Sequence, residues 1–485
     1  MKRILICKPF HTRAAPRGYL MIMALVFGSI FVTVLGALAG FAVTQNHVQF
    51  RTTGDAKALA LAEEGLEYYR WHLSHFPTDL QNGTGHSGPY VIDEQDPEGG
   101  DAGTVSLAIS GNSSCGQITS VDIAATGKPN DGSGASKTVT ARYSQPSVAN
   151  YSYILNDSVW AGADRIINGP YHSNGGIRMD GTTNAPVTSS LSSWLCTSDF
   201  GCSPNATKNG VFGSGSNSNF WSYPSPQVDF AGIAADFSGL KTKATNNGGI
   251  VLARYSSGSS GNASYYRGYH LIFNSNGTVT IKKVSATASL TVTPINASDP
   301  TTDHTVITSE STYQTKTIPS SCGLIFVEDN AWIEGTIPSK VTVVVANVTT
   351  TGVTPSAMLP DNITYSGTDA GLTVIAQNDV LITGDSPNNM TLNGIFIAQN
   401  GAFGRNYFGN SCNGTYEPRG TLTIHGTTVS NKRTGTKWQN GCGNGSSDAG
   451  YQSRTDAYDR TLATDPPPFT PTTSTDYQFT DWREE

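Results

Sequence analysis

Charge is scarce in this chain. Only 14% of its 485 residues are Asp, Glu, Lys or Arg, whereas glycine alone occupies 52 positions. This composition is untypical of a cytosolic enzyme and favours an exported, mostly β protein with many turns. The net charge is −7, and residues 1–18 hold five cations and no acid, so the chain without that segment would carry −12. We therefore expect no nucleic-acid partner.

Catalytic and metal-binding motifs are also missing. The chain has no G-x-S-x-G, no H-E-x-x-H, no P-loop and no G-x-G-x-x-G after a strand. Its histidines are scattered, and His172 and His425, in or beside predicted strands, are expected to be structural. The acidic loop at 92–101 lacks the D-x-D-x-D-G frame, which favours a solvated loop over a calcium site. We predict no catalytic residue, metal site or cofactor.

Six of the seven cysteines follow the N-terminal segment, which contains Cys7. An even number in an exported chain predicts disulfides, and the C-x2–4-C spacing of zinc sites is missing, so zinc is the less favoured alternative. The short loop between Cys196 and Cys202 suggests that these two residues pair. A Gly/Asn-rich segment between Cys412 and Cys442 suggests a second pair, and elimination leaves Cys115 with Cys322.

Residues 19–43 form an apolar run without a single charge. As a helix it would be about 37 Å long, enough to cross a hydrocarbon core of about 30 Å. Cations lie upstream and no acid precedes Asp55, which predicts a cytoplasmic N-terminus and an exported remainder. A cleaved signal peptide is less favoured, because the run is too long and no A-x-A-like site follows it.

An amphipathic segment continues this run. Apolar residues between Leu59 and Phe76 recur at steps of three and four, and no proline lies between Pro16 and Pro77. We predict one helix of about 55 residues, half in lipid and half under a folded head, weakened only by Gly54 and Gly65 in its soluble part. A plain single-pass anchor is the alternative.

The first 80 or so residues resemble the type IV pilin-like class and, within it, the PilX-type minor pilins. A basic leader ends in Arg17-Gly18, the apolar run starts at Tyr19, and an Ala-rich stem reads ALAEEGLEYYR. The resemblance implies that prepilin peptidase cuts between Gly18 and Tyr19, and that other pilins pack on the helix. Tyr19 departs from the usual Phe or Met. Met23 stands where most major pilins carry a Glu that pairs with a neighbouring subunit's amine.

Gly36 and Gly40 form a G-x-x-x-G pair inside the apolar run. Such a pair lets membrane helices approach closely, which predicts helix–helix packing at this face. The alternative is that glycine is simply common in apolar helices of this kind.

The pattern of strand-forming and turn-forming residues predicts an α+β, mostly β fold in seven segments. Short β-branched strands separated by Asn, Asp or Gly predict the rungs of a β-helix, with a β-sandwich as the alternative. The segments are a basic leader (1–18), a transmembrane and stem helix (19–76), a small β module (77–150) and a first set of rungs (151–225). They continue with an inserted α+β subdomain that contains a hairpin at Asn276-Gly277 (226–320), a second set of rungs (321–445) and a Pro/aromatic-rich tail (446–485).

Two functions from different classes fit these features. The favoured one is a minor pilin-like subunit of a type IV pilus or pseudopilus, which displays its head near the filament tip for assembly or adhesion. Its expected partners are other pilins, prepilin peptidase, membrane lipid and a surface or glycan ligand. It would lie in the inner membrane with an extracytoplasmic head, and later in an extracellular filament.

The alternative is a membrane-tethered β-helix enzyme that acts on polysaccharide. Two groups of charged residues lie close together in the sequence: Arg165 with Arg178 and Asp180, and Asp329 with Glu334. The uninterrupted stem favours the pilin-like subunit, because an enzyme needs only an anchor.

Overall fold

The computed structural model describes residues 17–258, 261–409, 415–439, 441 and 448–485. A long N-terminal helix precedes a large region made mostly of β-strands. This arrangement confirms the predicted α+β, mostly β class.

Helix α1 extends over Arg17–His75 as one element of 59 residues. No proline interrupts it before Pro77, which explains why the predicted single helix forms. Its N-terminal half is exposed throughout, and its C-terminal half buries one stripe of residues at helical spacing. The stripe consists of Gly54, Ala58, Leu61, Ala62, Gly65, Leu66, Tyr69, His72 and Leu73. Phe76, expected on this face, lies beyond the helix end and is exposed.

A small antiparallel sheet packs on the C-terminal half of α1. Its first strands pair in chain order and are β1 Tyr90–Gln95, β2 Asp101–Ser114, β3 Gln117–Pro129 and β4 Lys137–Ser144. Alternate side chains of these strands join the helical stripe in one buried core. The strands lie within the segment predicted as a small β module.

Gly65 lets α1 approach this sheet closely. A Cβ atom added at Gly65 would lie 2.3 Å from Cγ1 of Val105 in β2. From the sheet side, a Cβ atom at Gly127 in β3 would lie 2.2 Å from the carbonyl oxygen of Ala58. The glycine that weakens the helical pattern in the sequence therefore serves the packing of the helix on the sheet.

Beyond β4 the chain forms a stack of short strands. The first are β5 Tyr153–Leu155, β6 Val159–Ala161, β7 Arg165–Asn168, β8 Tyr171–Ser173, β9 Ile177–Met179, β10 Thr182–Thr183, β11 Val187–Ser189, β12 Ser193–Cys196, β13 Ala206–Asn209, β14 Val211–Phe212 and β15 Trp221–Ser222. Strands β5, β8, β11 and β15 pair in parallel along one face of the stack. Tyr153, Tyr171 and Val187 stand in register on this face and are buried.

The following segment contains α2 Phe237–Asn246, β16 Ile250–Leu252, β17 Gly268–Asn274, β18 Thr278–Thr287, β19 Leu290–Val292, β20 Thr301–Asp303 and β21 Ile307–Thr317. The Asp236 side chain caps α2, which is shorter than the helical spacing from Phe230 suggests. The predicted hairpin is confirmed, since β17 and β18 are antiparallel and Gly277 has a φ of +86°. Strands β16 and β17 also pair in parallel with later strands, so part of this segment belongs to the stack.

The stack continues with β22 Leu324–Val327, β23 Asn330–Ile337, β24 Lys340–Val345, β25 Ala357–Leu359, β26 Ile363–Tyr365, β27 Gly371–Ala376, β28 Val380–Ile382, β29 Asn389–Ala398, β30 Phe403–Gly404, β31 Arg419–Ser430, β32 Lys437–Trp438 and β33 Ala449–Ala457. Strands β22, β24, β27, β29 and β31 form a parallel ladder. Strand β31 then pairs in parallel with β5, with Thr428 opposite Tyr153. The two predicted sets of rungs therefore share one sheet.

This ladder is buried on both faces. In β24, five consecutive residues from Val341 to Val345 are buried. The inner face contributes to the core of the stack, and the outer face packs against α2 and its flanks through Ile233, Leu240 and Ala244. Burial on both faces explains why four of these five residues are valines, without the alternation of apolar and polar side chains of a half-exposed strand.

The C-terminal segment returns to the small sheet. Helix α3 Arg460–Thr464 follows the stack, and β34 Gln478–Glu484 pairs with β4 in antiparallel orientation. A bridge between Ser147 and Thr472 joins the segments that enter and leave the stack. The stack is therefore inserted between two neighbouring strands of the small sheet, and the segment predicted only as a tail contributes one of them.

Two of the predicted cysteine pairs are disulfide-bonded. Cys196–Cys202 closes the short loop after β12, and Cys115–Cys322 links the turn between β2 and β3 to the loop before β22. The second bond therefore connects the small sheet to the stack. The third predicted pair, Cys412 and Cys442, lies outside the described residues.

Candidate functional site

The N-terminal half of α1 is an exposed apolar surface. Its large side chains between Tyr19 and Phe50 are all exposed, from 44% for Met23 to 79% for Leu20. By length and composition this helix can span a membrane. A continuous apolar surface of this extent requires lipid or a protein partner around it.

The residues predicted for processing and helix packing lie on this exposed half. Gly18 and Tyr19 stand in the first turn of the helix as described, and both are exposed. Added Cβ atoms at Gly36 and Gly40 would meet no atom within 4 Å. Both positions are therefore open to a second helix, and their roles in cleavage and packing stay predictions.

A cleft of about 990 Å³ opens on the stack. It lies where the turns after β6, β9, β12 and β14 face the segment around β32. Aromatic side chains line it together with charged ones, among them Trp160, Trp438 and Tyr407. Its volume and mixed lining are those of a ligand-binding site.

One wall of the cleft is a fixed ion pair beside an indole ring. Arg178 donates from Nε to Oδ2 of Asp180 at 2.7 Å, and its Cζ lies 4.1 Å from the centre of the Trp160 ring. Trp160 Nε1 donates to the same carboxylate oxygen at 2.8 Å. Arg178 also donates from Nη1 to the carbonyl oxygen of Phe200 at 2.7 Å. This last contact holds the wall against the loop that the Cys196–Cys202 disulfide closes.

The opposite wall is a second network of ion pairs. Arg454 binds both carboxylate oxygens of Asp164, at 2.8 and 3.0 Å, and Lys437 Nζ lies 3.5 Å from the same carboxylate. Lys437 also pairs with Asp448 at 3.1 Å. Next to it, the Trp438 ring contacts Tyr407 at a centroid distance of 5.7 Å. The polar groups of this wall are thus held in place before any ligand arrives.

Arg433 connects the two walls. It donates from Nη2 to the carbonyl oxygen of Asp199 at 2.8 Å, and its Cζ lies 4.6 Å from the centre of the Phe200 ring. Within the described part of the chain, no carboxylate lies within 4 Å of its guanidinium nitrogens. Burial lowers the pKa of Arg433 from its ordinary value, partly offset by the more distant charges of Asp199 and Asp157.

The carboxylates of the two walls stay ionised. Burial alone would raise the pKa of Asp164, but hydrogen bonds and charge from Arg454, with charge from Lys437, lower it below its ordinary value. For Asp180 burial is likewise outweighed, by hydrogen bonds from Ser214 and Trp160, and its pKa is lowered too. Neither carboxyl group is therefore suited to act as a general acid at neutral pH.

The charged residues that the sequence suggested as candidate catalytic residues do not form the two expected clusters. Arg178 and Asp180 pair in the cleft, whereas Arg165 is 4% exposed behind it and binds Asp456 at 2.5 Å. Asp329 is buried elsewhere and accepts hydrogen bonds from three backbone amides. His172, expected to be structural, is buried and hydrogen-bonds neighbouring side chains.

Glu334 lies in a separate depression beside His270. The imidazole Nε2 lies 3.4 Å from Glu334, and Nδ1 lies 2.8 Å from Glu310, which Lys282 also contacts at 2.5 Å. Burial alone would lower the pKa of His270, but hydrogen bonds and charges from the two glutamates raise it above its ordinary value. These groups form a partly exposed ion network around the buried imidazole of His270.

The sequence did not reveal most of the cleft. Trp160 lies in β6, whereas Arg433 and Trp438 lie in or just before β32, far later in the chain, and no motif surrounds any of them. The signal that could have marked them is the occurrence of tryptophan and arginine in Gly/Asn-rich segments, where such large side chains are seldom needed for a core.

Comparisons with known proteins give little further information. No family model matches this chain, and no curated protein matches it. Among solved structures, the chain is similar to the crystal structure of the competence-associated pilin ComZ from Thermus thermophilus. The identity is 12%, the match covers 89% of this chain and 98% of that chain, and the TM-score is 0.30. A likeness this distant carries no argument, so function must be inferred from the chain's own residues.

Proposed function

We propose that this chain is a pilin-like subunit of a type IV pilus or related pseudopilus. It is anchored and assembled through α1 and displays a large β head for filament assembly or surface adhesion. The observation that carries this proposal is the division of α1 into an exposed apolar half and a half that is buried under a small antiparallel sheet.

The continuity of α1 favours a filament subunit over a simple anchor. A helix of 59 residues is roughly 90 Å long, whereas about 20 residues suffice to cross a membrane. The close packing of α1 on the small sheet at Gly65 joins the helix rigidly to the head. A simple anchor would tolerate a flexible linker instead. The apolar half can be solvated by lipid before assembly and by the helices of neighbouring subunits afterwards.

The sequence at the start of α1 supports processing before assembly. In this proposal prepilin peptidase cuts between Gly18 and Tyr19, with the N-terminus inside the inner membrane and the head outside. The five upstream cations and the small residue before the apolar run support this orientation and this cut.

We also propose that the subunit lies at or near the filament tip. The exposed half of α1 contains no acid, and Met23 stands where a carboxylate could attract the amine of a neighbouring subunit. Such an attraction is strong in low dielectric. A subunit without it can still donate its own amine to the next subunit, which suits a terminal position.

Mass spectrometry of the mature N-terminus tests this function. We expect the envelope form to begin at a methylated Tyr19, and Gly18→Glu to leave the protein uncut because the peptidase loses its small residue. Gly367→Glu, at an exposed position with space for a side chain, is the matched control and should be processed normally. Intact protein that starts at Met1 in cells with an active peptidase would refute the proposal.

Immunogold labelling of the head separates the tip from the shaft. Label confined to one end of the filament, with loss of piliation on deletion, is expected. Label spread along the shaft would refute the tip position while leaving the pilin-like assignment intact.

A further inference from the structure

We infer that the cleft between Trp160 and Trp438 binds an oligosaccharide that carries a carboxylate group. The inference gives a ligand class to the adhesive role proposed above. Its test uses the solubilised chain and does not require filament assembly. A failure of the ligand inference can therefore be told from a failure of the proposed pilin-like function.

The polar groups of the cleft suit a ligand with many hydroxyls. The carboxylates of Asp164 and Asp180 are ionised acceptors, and the guanidinium and ammonium groups beside them are donors. These groups are already fixed by their mutual hydrogen bonds, so little side-chain entropy is lost when a ligand replaces water. The indole rings of the two walls add flat apolar surface, which the C–H faces of sugar rings can contact.

Arg433 points to an acidic sugar. Apart from Arg165, which Asp456 neutralises behind the cleft, the described residues that line it include four cations and four carboxylates. Three of these cations pair with carboxylates of the cleft. Arg433 is the fourth cation: no described carboxylate lies within 4 Å of its guanidinium nitrogens, and a half-buried guanidinium is stabilised by a bound anion. We place the ligand carboxylate at Arg433, between the two walls.

A nucleic acid fits the cleft less well. Aromatic side chains and arginines also bind single strands, but a DNA backbone offers the ionised aspartates only acceptor oxygens and negative charge. The carboxylates of Asp164 and Asp180 would therefore repel its phosphates. A uronic acid residue carries hydroxyls as well as a carboxylate, so it can place hydroxyl donors at these aspartates and its carboxylate at Arg433.

Binding without cleavage is expected. The described carboxyl groups of the cleft that have a shifted pKa are those of Asp164 and Asp180, and both pKa values are lowered. Hydrolysis of a glycosidic bond requires one carboxyl group that keeps its proton at working pH. Both carboxylates are also held in ion pairs with arginines. We therefore expect no hydrolysis of the sugar through Asp164 or Asp180 on prolonged incubation.

Calorimetric titration of the detergent-solubilised full chain with oligogalacturonate tests the inference. We expect saturable binding, weaker binding of a neutral galacto-oligosaccharide, and no cleavage of either. Arg433→Gln should lower the affinity for oligogalacturonate roughly 10-fold or more, the usual loss for a hydrogen bond to a charged group. Arg433→Lys should retain part of the affinity because it retains the charge.

Arg254→Gln is the matched control. Arg254 also bonds only neutral groups among the described residues, and it lies outside the cleft; its replacement should leave the affinity unchanged. If Arg433→Gln does not fold, as judged by thermal unfolding, Lys437→Gln gives a second test, since it also makes the cleft more negative. Three results would overturn the inference: no oligogalacturonate binding by the folded chain, equal binding by the folded Arg433→Gln variant, or tighter binding of a single-stranded DNA oligonucleotide.

Discussion

The Cys115–Cys322 disulfide should contribute more to stability than the Cys196–Cys202 disulfide. The two bonds span sequence separations of 207 and 6 residues. If a disulfide acts by restricting the unfolded chain, loops of these lengths correspond to roughly 5 and roughly 2 kcal/mol. The difference arises from loop length alone, because both pairs are buried.

The perturbation is the replacement of each pair by alanine. Cys115 and Cys322 are 2% and 0% exposed, so serine would bury a hydroxyl group that has no assured partner, whereas alanine leaves only a small gap. The hydrogen bond from the Cys115 amide to the Ser321 carbonyl, at 2.9 Å, still joins the sheet to the stack in the variant. The predicted loss is therefore in the free energy of unfolding and not in the folded arrangement.

Thermal unfolding of the solubilised chain, followed by near-UV circular dichroism, measures the effect. We expect the Cys115→Ala/Cys322→Ala variant to unfold at a clearly lower temperature than the Cys196→Ala/Cys202→Ala variant, with the reduced wild type below both. An equal or larger loss in the short-loop variant would refute the loop-length reasoning. It would show instead that local packing governs stability, since Cys196 and Cys202 form a small buried cluster with Trp194.

Three further predictions concern α1 and the stack. Gly65→Ala should gain about 1 kcal/mol in helix propensity but lose about 1–3 kcal/mol by overpacking against the sheet, so thermal unfolding should occur earlier; Gly54→Ala, whose Cβ would meet a loop instead of a strand, should lose less. The pKa of His270 is raised in the folded protein, so its stabilising contribution is complete below the unfolded pKa of about 6.5 and is lost as pH rises through the folded pKa. Unfolding in denaturant as a function of pH should show this loss, and His270→Gln should remove it. Replacing Gly36 and Gly40 together by Leu should reduce incorporation into filaments without preventing membrane insertion, as immunoblots of sheared filaments and membranes would show; normal incorporation would exclude their packing role.

The parts of the fold that local patterns control could be predicted. The helix follows from an apolar run and a helical repeat without proline, and the hairpin follows from Asn276-Gly277 between two alternating strands. The disulfide between Cys196 and Cys202 needs no more than a short loop. In each case the interacting residues are neighbours in the chain, so the sequence contains the whole signal.

Long-range pairing could not be predicted in the same way. No local feature shows that Phe479 in β34 lies opposite Tyr143 in β4, or that Thr428 in β31 lies opposite Tyr153 in β5. Strands that are far apart in the chain meet because their apolar faces are complementary, and many other strands of this chain have similar faces. The cleft has the same origin, since its walls come from turns that only the stacking of strands brings together.

The insertion of the stack into the small sheet determines how the head is held on the helix. The chain enters and leaves the stack through neighbouring strands, β4 and β34, and the Cys115–Cys322 bond adds a third covalent connection. Arg142 in β4 strengthens the junction, since it binds Asp122 in the sheet and Asp465 after α3, each at 2.7 Å, and Asp465 also pairs with Lys340 in β24. Three covalent connections and this ion network restrict rotation of the stack about any single strand. We therefore expect a ligand bound in the cleft to transmit force to α1 through this junction.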